Sequence, residues 1–138
     1  MNMKHSSYNH YIVMFFIMII SGALSTMNIW VDKYSDIRFS LNDVYMIFLM
    51  TGWMFLFMGL FYKEVTVVIV GVVTVTTSFL CIRTQFMITE EQYKLGMIPH
   101  HSMAILMSKK LLQKNNNIQP FLNNLINTQE KEIEFMKK

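Results

Sequence analysis

The chain has 138 residues, room for one soluble domain at most, yet 53% are hydrophobic and only 15% charged. An ordinary soluble domain carries roughly 25% charged residues. The net charge of +3 is too small to mark a nucleic-acid partner, and the lone Cys81 excludes an intramolecular disulfide.

The apolar residues fall into three runs. Residues 11–31, 44–62 and 65–82 contain no charge and number 21, 19 and 18. At about 1.5 Å rise per residue, roughly 20 residues cross a hydrocarbon core of about 30 Å. One such run could be a buried core helix, but three in so short a chain point to a lipid bilayer as partner. The first run could also be a signal peptide, with Ala23 and Ser25 at a cleavage pattern. It continues through Met27, Ile29, Trp30 and Val31, which favours a retained helix with Trp30 as an interfacial anchor. Ahead of it, Met1, Met3, His5 and His10 are compatible with metal binding or with a plain polar terminus.

The polar stretch after the first run holds Asp32, Asp36, Arg38 and Asp43 and reads as a solvated loop. The second run carries Met46, Met50, Met54 and Met58 at a strict four-residue interval, as Met14 and Met18 do in the first. Packing by a flexible apolar side chain explains the ladder more simply than a thioether path for Cu(I). The third run, VTVVIVGVVTVTTSFLCI, is β-branched and would read as strand in water. A lone segment in lipid must satisfy its own backbone and is therefore helical. Only Lys63 and Glu64 separate it from the second run, which forces a tight helical hairpin.

After Arg83 the chain becomes polar. Thr89-Glu90-Glu91-Gln92 matches a capping box, and Glu90 and Glu91 suit the helix dipole. The helix it opens is expected to run to about Lys114, kinked at Pro99. Residues 115–117 are a turn, and Pro120 sits in the first turn of a second helix. On that helix Phe121, Leu122, Leu125, Ile126, Ile133 and Met136 form an apolar stripe. A hairpin of about 50 residues is too small to bury a good core alone, so it is expected to pair with a second copy.

Met97-Ile98-Pro99-His100-His101-Ser102-Met103 is the most informative stretch. At roughly 100° per residue, Met97 and His101 share one face, while His100, Met103 and Met107 share another. Imidazole ligates copper or zinc, and thioether sulfur suits Cu(I). On the second helix Glu132, with Gln129 and Met136 on its side, serves as a hard ligand or as an acceptor that orients a histidine. The candidate metal residues are thus Met97, His100, His101, Met103, Met107, Glu132 and Met136. Both residue types also have ordinary packing uses.

Arg83-x-Gln85, Met97-Ile98-Pro99-His100-His101-Ser102, Ala104-Ile105 and Gln129-x-x-Glu132-Ile133-x-x-Met136 together resemble the family called domain of unknown function 305. That family is grouped with ferritin-like helical proteins, and a membrane subgroup with several spans resembles the whole chain. The resemblance implies copper binding at Met97, His100, His101 and Met136. Longer members carry two helical hairpins where this chain has one, so another subunit would complete a four-helix bundle.

The expected fold is all-α. Three transmembrane helices form a membrane domain over residues 1–82, and a helical hairpin over residues 83–138 makes half of a ferritin-like four-helix bundle. The expected function is membrane-anchored metal binding, with copper as cofactor, in sequestration or handling. The alternative is a structural or assembly role for the hairpin without metal. No nucleophile–base arrangement is present, and ferritin-like oxidase chemistry wants more carboxylates than Glu132 supplies. Lys33, Arg38, Arg83 and Lys94 against Lys4 and Lys63 lean toward a cytoplasmic C-terminus. Many bacterial members of the family it resembles are secreted or membrane-anchored, which leans the other way, and the extracytoplasmic side is the expectation retained.

Overall fold

A computed structural model describes residues 3–138, with side chains from residue 9 onward. It contains five α-helices: α1 (Met3–Leu24), α2 (Leu41–Tyr62), α3 (Val65–Thr84), α4 (Glu90–Leu112) and α5 (Gln119–Met136). Two single turns of 3-10 helix, Met27–Trp30 and Tyr34–Asp36, lie between α1 and α2. No strand occurs among the described residues. The chain divides into two compact units, one of residues 1–25 with 42–87 and one of residues 26–41 with 88–138.

Three stretches are long and apolar enough to cross a membrane: Asn9–Trp30, Leu41–Tyr62 and Val65–Thr84. Their large apolar side chains point outward, among them Phe16, Ile20, Phe57, Leu60, Ile69 and Val73. So much exposed apolar surface is foreign to a water-soluble monomer. α2 and α3 approach each other on glycine. A Cβ on Gly59 would come within 2.6 Å of the Val68 amide nitrogen, and one on Gly71 within 2.5 Å of the Leu56 nitrogen. Small residues that let helix backbones meet are the usual basis of packing between apolar helices. Phe15 of α1 stacks on Phe55 of α2 at 6.2 Å between ring centres.

The turn at Lys63-Glu64 is as tight as the sequence requires. Lys63 takes a left-handed conformation (φ 57°), the Glu64 N–H donates to Gly59 O, and the Lys63 N–H donates to Leu60 O. This is a Schellman closure made without its usual glycine. α3 ends the same way at Gln85, with Phe86 N–H donating to Cys81 O.

The first apolar stretch, Asn9–Trp30, is not one unbroken α-helix. α1 stops at Leu24, where Ser25 N–H turns back to Gly22 O and Thr26 becomes extended. The Asn28 side chain then donates to Thr26 Oγ1 and pairs with both backbone groups of Arg38. Polar side chains offer the backbone partners outside the helix, and the helix yields. Of the N-terminal Met and His residues, Met1 lies outside the described residues, as do the side chains of Met3 and His5, and His10 is exposed.

In the second unit α4 and α5 pack antiparallel. Ile98, Ile105 and Ile133 form the core, with Ile126 and Met136 against it. Leu122 is buried as its place on the apolar stripe predicts, but Phe121 is exposed. The hairpin does not stand alone in its unit, since the 26–41 segment packs on α4. Asp36 of that segment was expected to be solvated, yet it is 2% exposed; Asp43, expected in the same solvated loop, lies in α2 and is 8% exposed.

Candidate metal centre on the α4–α5 hairpin

α4 begins as its sequence dictates. Thr89 is the N-cap, and its Oγ1 accepts from the Gln92 N–H at 3.3 Å. The second half of the capping box is not made. Gln92 Oε1 instead accepts from the N–H of Leu41, the first residue of α2, at 2.7 Å. Helix-start amides lack an intrahelical acceptor, so this bond supplies one. α4 continues through Pro99, whose ring is buried. A proline here removes one helical hydrogen bond, so packing of the ring must help to offset the loss.

The two histidines diverge, as adjacent helical residues must. His100 is exposed and lines an apolar cavity together with Met103 and Met107. His101 turns toward α5, with its side chain 12% exposed. The ring centres are 5.9 Å apart. His101 Nδ1 lies 3.0 Å from Glu132 Oε2, but the pair is not aligned for a hydrogen bond, and this buried nitrogen has no hydrogen-bond partner. Burial holds the His101 pKa below its ordinary 6.5. The Glu132 charge opposes that shift and the His100 ring adds to it. Burial thus favours the neutral ring, which is the form that binds metals.

The structure thus splits the seven candidates. His100, Met103 and Met107 share one cavity wall, and His101 meets Glu132 across the hairpin. Met136 packs on the isoleucine core, and Met97 is half-buried on α4 one turn before His101. Among the described residues no three His, Cys, Asp or Glu side chains converge on one point. Any multidentate site must therefore draw on thioether sulfur or on a further chain.

A polar clamp beside this site was not anticipated. Ser102, fully buried, donates to Asp36 Oδ2 at 2.7 Å and accepts from the Asp32 N–H at 2.9 Å. Lys137 pairs with the other Asp36 oxygen, and Lys109 pairs with Asp32 at 2.7 Å. Burial alone would raise the Asp36 pKa. The hydrogen bonds from Lys137 and Ser102 and the charges of Lys137 and Lys33 outweigh it and hold the carboxyl below its ordinary 3.8. One signal was available in the sequence. Ser102 falls four residues after Ile98 and three before Ile105, a polar residue on an otherwise apolar stripe. Such a residue implies a buried hydrogen bond.

A family model described as domain of unknown function (DUF305) matches residues 84–138. An uncharacterised protein of Acanthamoeba polyphaga mimivirus is 40% identical over 124 residues, covering 85% of this chain and 82% of its own length. That likeness is too long to be confined to the hairpin, so it extends into the apolar helices. No solved structure matches the chain.

Proposed function

Because the chain belongs to the family described as domain of unknown function (DUF305), we propose that it is a membrane-anchored metal-binding protein that holds copper on the α4–α5 hairpin for sequestration or handling. The observation that carries this reading is the His101 ring, which is largely buried, with an Nδ1 that no hydrogen bond satisfies. A buried polar atom without a partner is costly in a core that serves only packing. The donor set suits the metal: His100 and His101 supply imidazole, and Met97 and Met136 supply thioether sulfur that favours Cu(I). Glu132 Oε2, 3.0 Å from the His101 Nδ1, would join it as a hard oxygen ligand.

In this reading α1, α2 and α3 span the bilayer and the hairpin lies on the extracytoplasmic side. A second copy supplies the other half of a ferritin-like bundle. Tyr93 and Phe135, at the same end of the antiparallel hairpin, are 52% and 71% exposed and offer that copy an apolar contact. The same pair favours a second reading, in which the hairpin is an assembly contact without metal.

Copper content of the full chain, purified in a neutral detergent, separates the two. Copper should bind tightly and stoichiometrically. His100→Ala/His101→Ala should abolish tight binding while circular dichroism remains helical. Met97→Leu and Met136→Leu keep the apolar volume and should weaken Cu(I) selectively. Full copper affinity in the double histidine variant would overturn the reading.

A further inference from the structure

The loop end of the hairpin carries a cavity that the metal reading does not explain. It measures about 660 Å³, within the range of small-molecule sites. Its walls are apolar: Trp30 from the 26–41 segment, Leu106, Met107 and Leu111 from α4, and Phe121 and Leu125 from α5. Two cations, Lys110 and Lys114, also line it, one helical turn apart, and no acidic side chain does among the described residues. Three other lysines of this unit are paired. Lys94 pairs with Glu90, Lys109 with Asp32 and Lys137 with Asp36. Lys110 and Lys114 make no ion pair among the described residues. An apolar pocket with two unpaired cations is complementary to a molecule with an apolar tail and an anionic head.

We propose that this cavity binds a single-chain anionic amphiphile, a fatty acid or an acidic lysophospholipid. The tail lies along Met107, Leu111, Phe121 and Leu125, and the head meets Lys110 and Lys114. Trp30 covers the tail from the side of the 26–41 segment. The apolar walls set affinity by excluding water, and the lysines set the preference for an anion. A helix bundle on a membrane-anchored chain meets such molecules at high local concentration. The cavity wall includes three of the candidate metal residues, His100, Met103 and Met107, but the proposed head contacts use none of them, and neither His101 nor Glu132 lines it.

The chain has two tryptophans, so Trp53→Phe leaves Trp30 as the sole reporter at the cavity wall. The full chain with that substitution, in neutral maltoside micelles, is titrated with dibromostearate and with its methyl ester at equal micellar mole fraction. The acid should quench Trp30 fluorescence to saturation at one molecule per chain, and native mass spectrometry should count that molecule. The ester should quench weakly and without saturation. Lys110→Gln/Lys114→Gln should weaken binding of the acid by about tenfold or more, the effect of two lysines near an anionic head. Lys110→Arg/Lys114→Arg should retain it. Equal quenching by acid and ester overturns the proposal, as does unchanged affinity in the glutamine variant. So does a Trp30 shielded from both quenchers in a species that sediments as a dimer, which would assign the cavity to a second copy.

Discussion

Ser102→Ala is the sharpest perturbation of the second unit. The hydroxyl is fully buried and makes two bonds, donating to Asp36 Oδ2 at 2.7 Å and accepting from the Asp32 N–H at 2.9 Å. Alanine removes both and leaves no room for water to replace them cheaply. A hydrogen bond to a charged group contributes about 1.5–3 kcal/mol, and a buried N–H left without a partner costs about 1–3 kcal/mol. The two overlap, because Lys137 still holds Asp36 and the segment can relax. A net loss of about 2 kcal/mol follows, which at about 1.4 kcal/mol per factor of ten is roughly a thirtyfold change in the opening equilibrium. Hydrogen exchange of the full chain in detergent reads this locally. Amides of residues 26–41 should exchange about thirtyfold faster, and those of α2 and α3 should not change. Asp36→Ala should produce a similar loss, and the double variant should cost less than the sum. Unchanged exchange over residues 32–36 in Ser102→Ala would refute the account of the clamp.

Acid should open the same clamp. Asp36 is held below its ordinary 3.8, so its contribution is present above that pH and is lost as the pH falls through the lower folded value. Exchange over residues 26–41 should accelerate in that window, beyond the change of intrinsic rate, and Asp36→Asn should remove the transition. In the first unit, Gly71→Ala should destabilise the α2–α3 pair by about 1–3 kcal/mol, since its Cβ would sit 2.5 Å from backbone rather than from a movable side chain. Gly22→Ala meets only the side chain of Ile47, at 3.0 Å, and should cost less when both are compared by unfolding in mixed micelles.

What the sequence made legible follows the range of the interactions. The apolar runs located α2 and α3 to within three residues at each end, because span length and composition are local properties. Thr89 announced the start of α4 and Pro120 the start of α5 for the same reason. Leu122 and Ile133 were readable as core from helical spacing. The break in the first apolar stretch after Leu24 leaves no signal in a count of apolar residues, which ignores what Thr26 and Asn28 do with their hydrogen bonds. Asp36 was taken for a solvated residue because its partners, Ser102 and Lys137, lie 66 and 101 positions further along the chain. No local pattern reports such a pairing. The left-handed residues Lys63 and Gln85 were equally silent, since neither is the glycine that usually marks that conformation.

The placement of the clamp bears on the histidines. Ser102 follows His101 directly, so the bonds that fix Ser102 also fix the turn of α4 from which His101 projects. Ile98 and Ile105 hold the same face of that turn against Ile133 of α5. The His101 ring is thereby kept beside Glu132 by backbone restraints from two directions. His100, on the adjoining face, is left exposed along the cavity wall. A helix that served only as packing would have little use for a buried carboxylate, paired with Lys137, bonded to the residue next to an unsatisfied imidazole. The desolvation of Asp36 falls where its bonds immobilise that one turn, and under the proposed function the residue that gains from the immobility is His101.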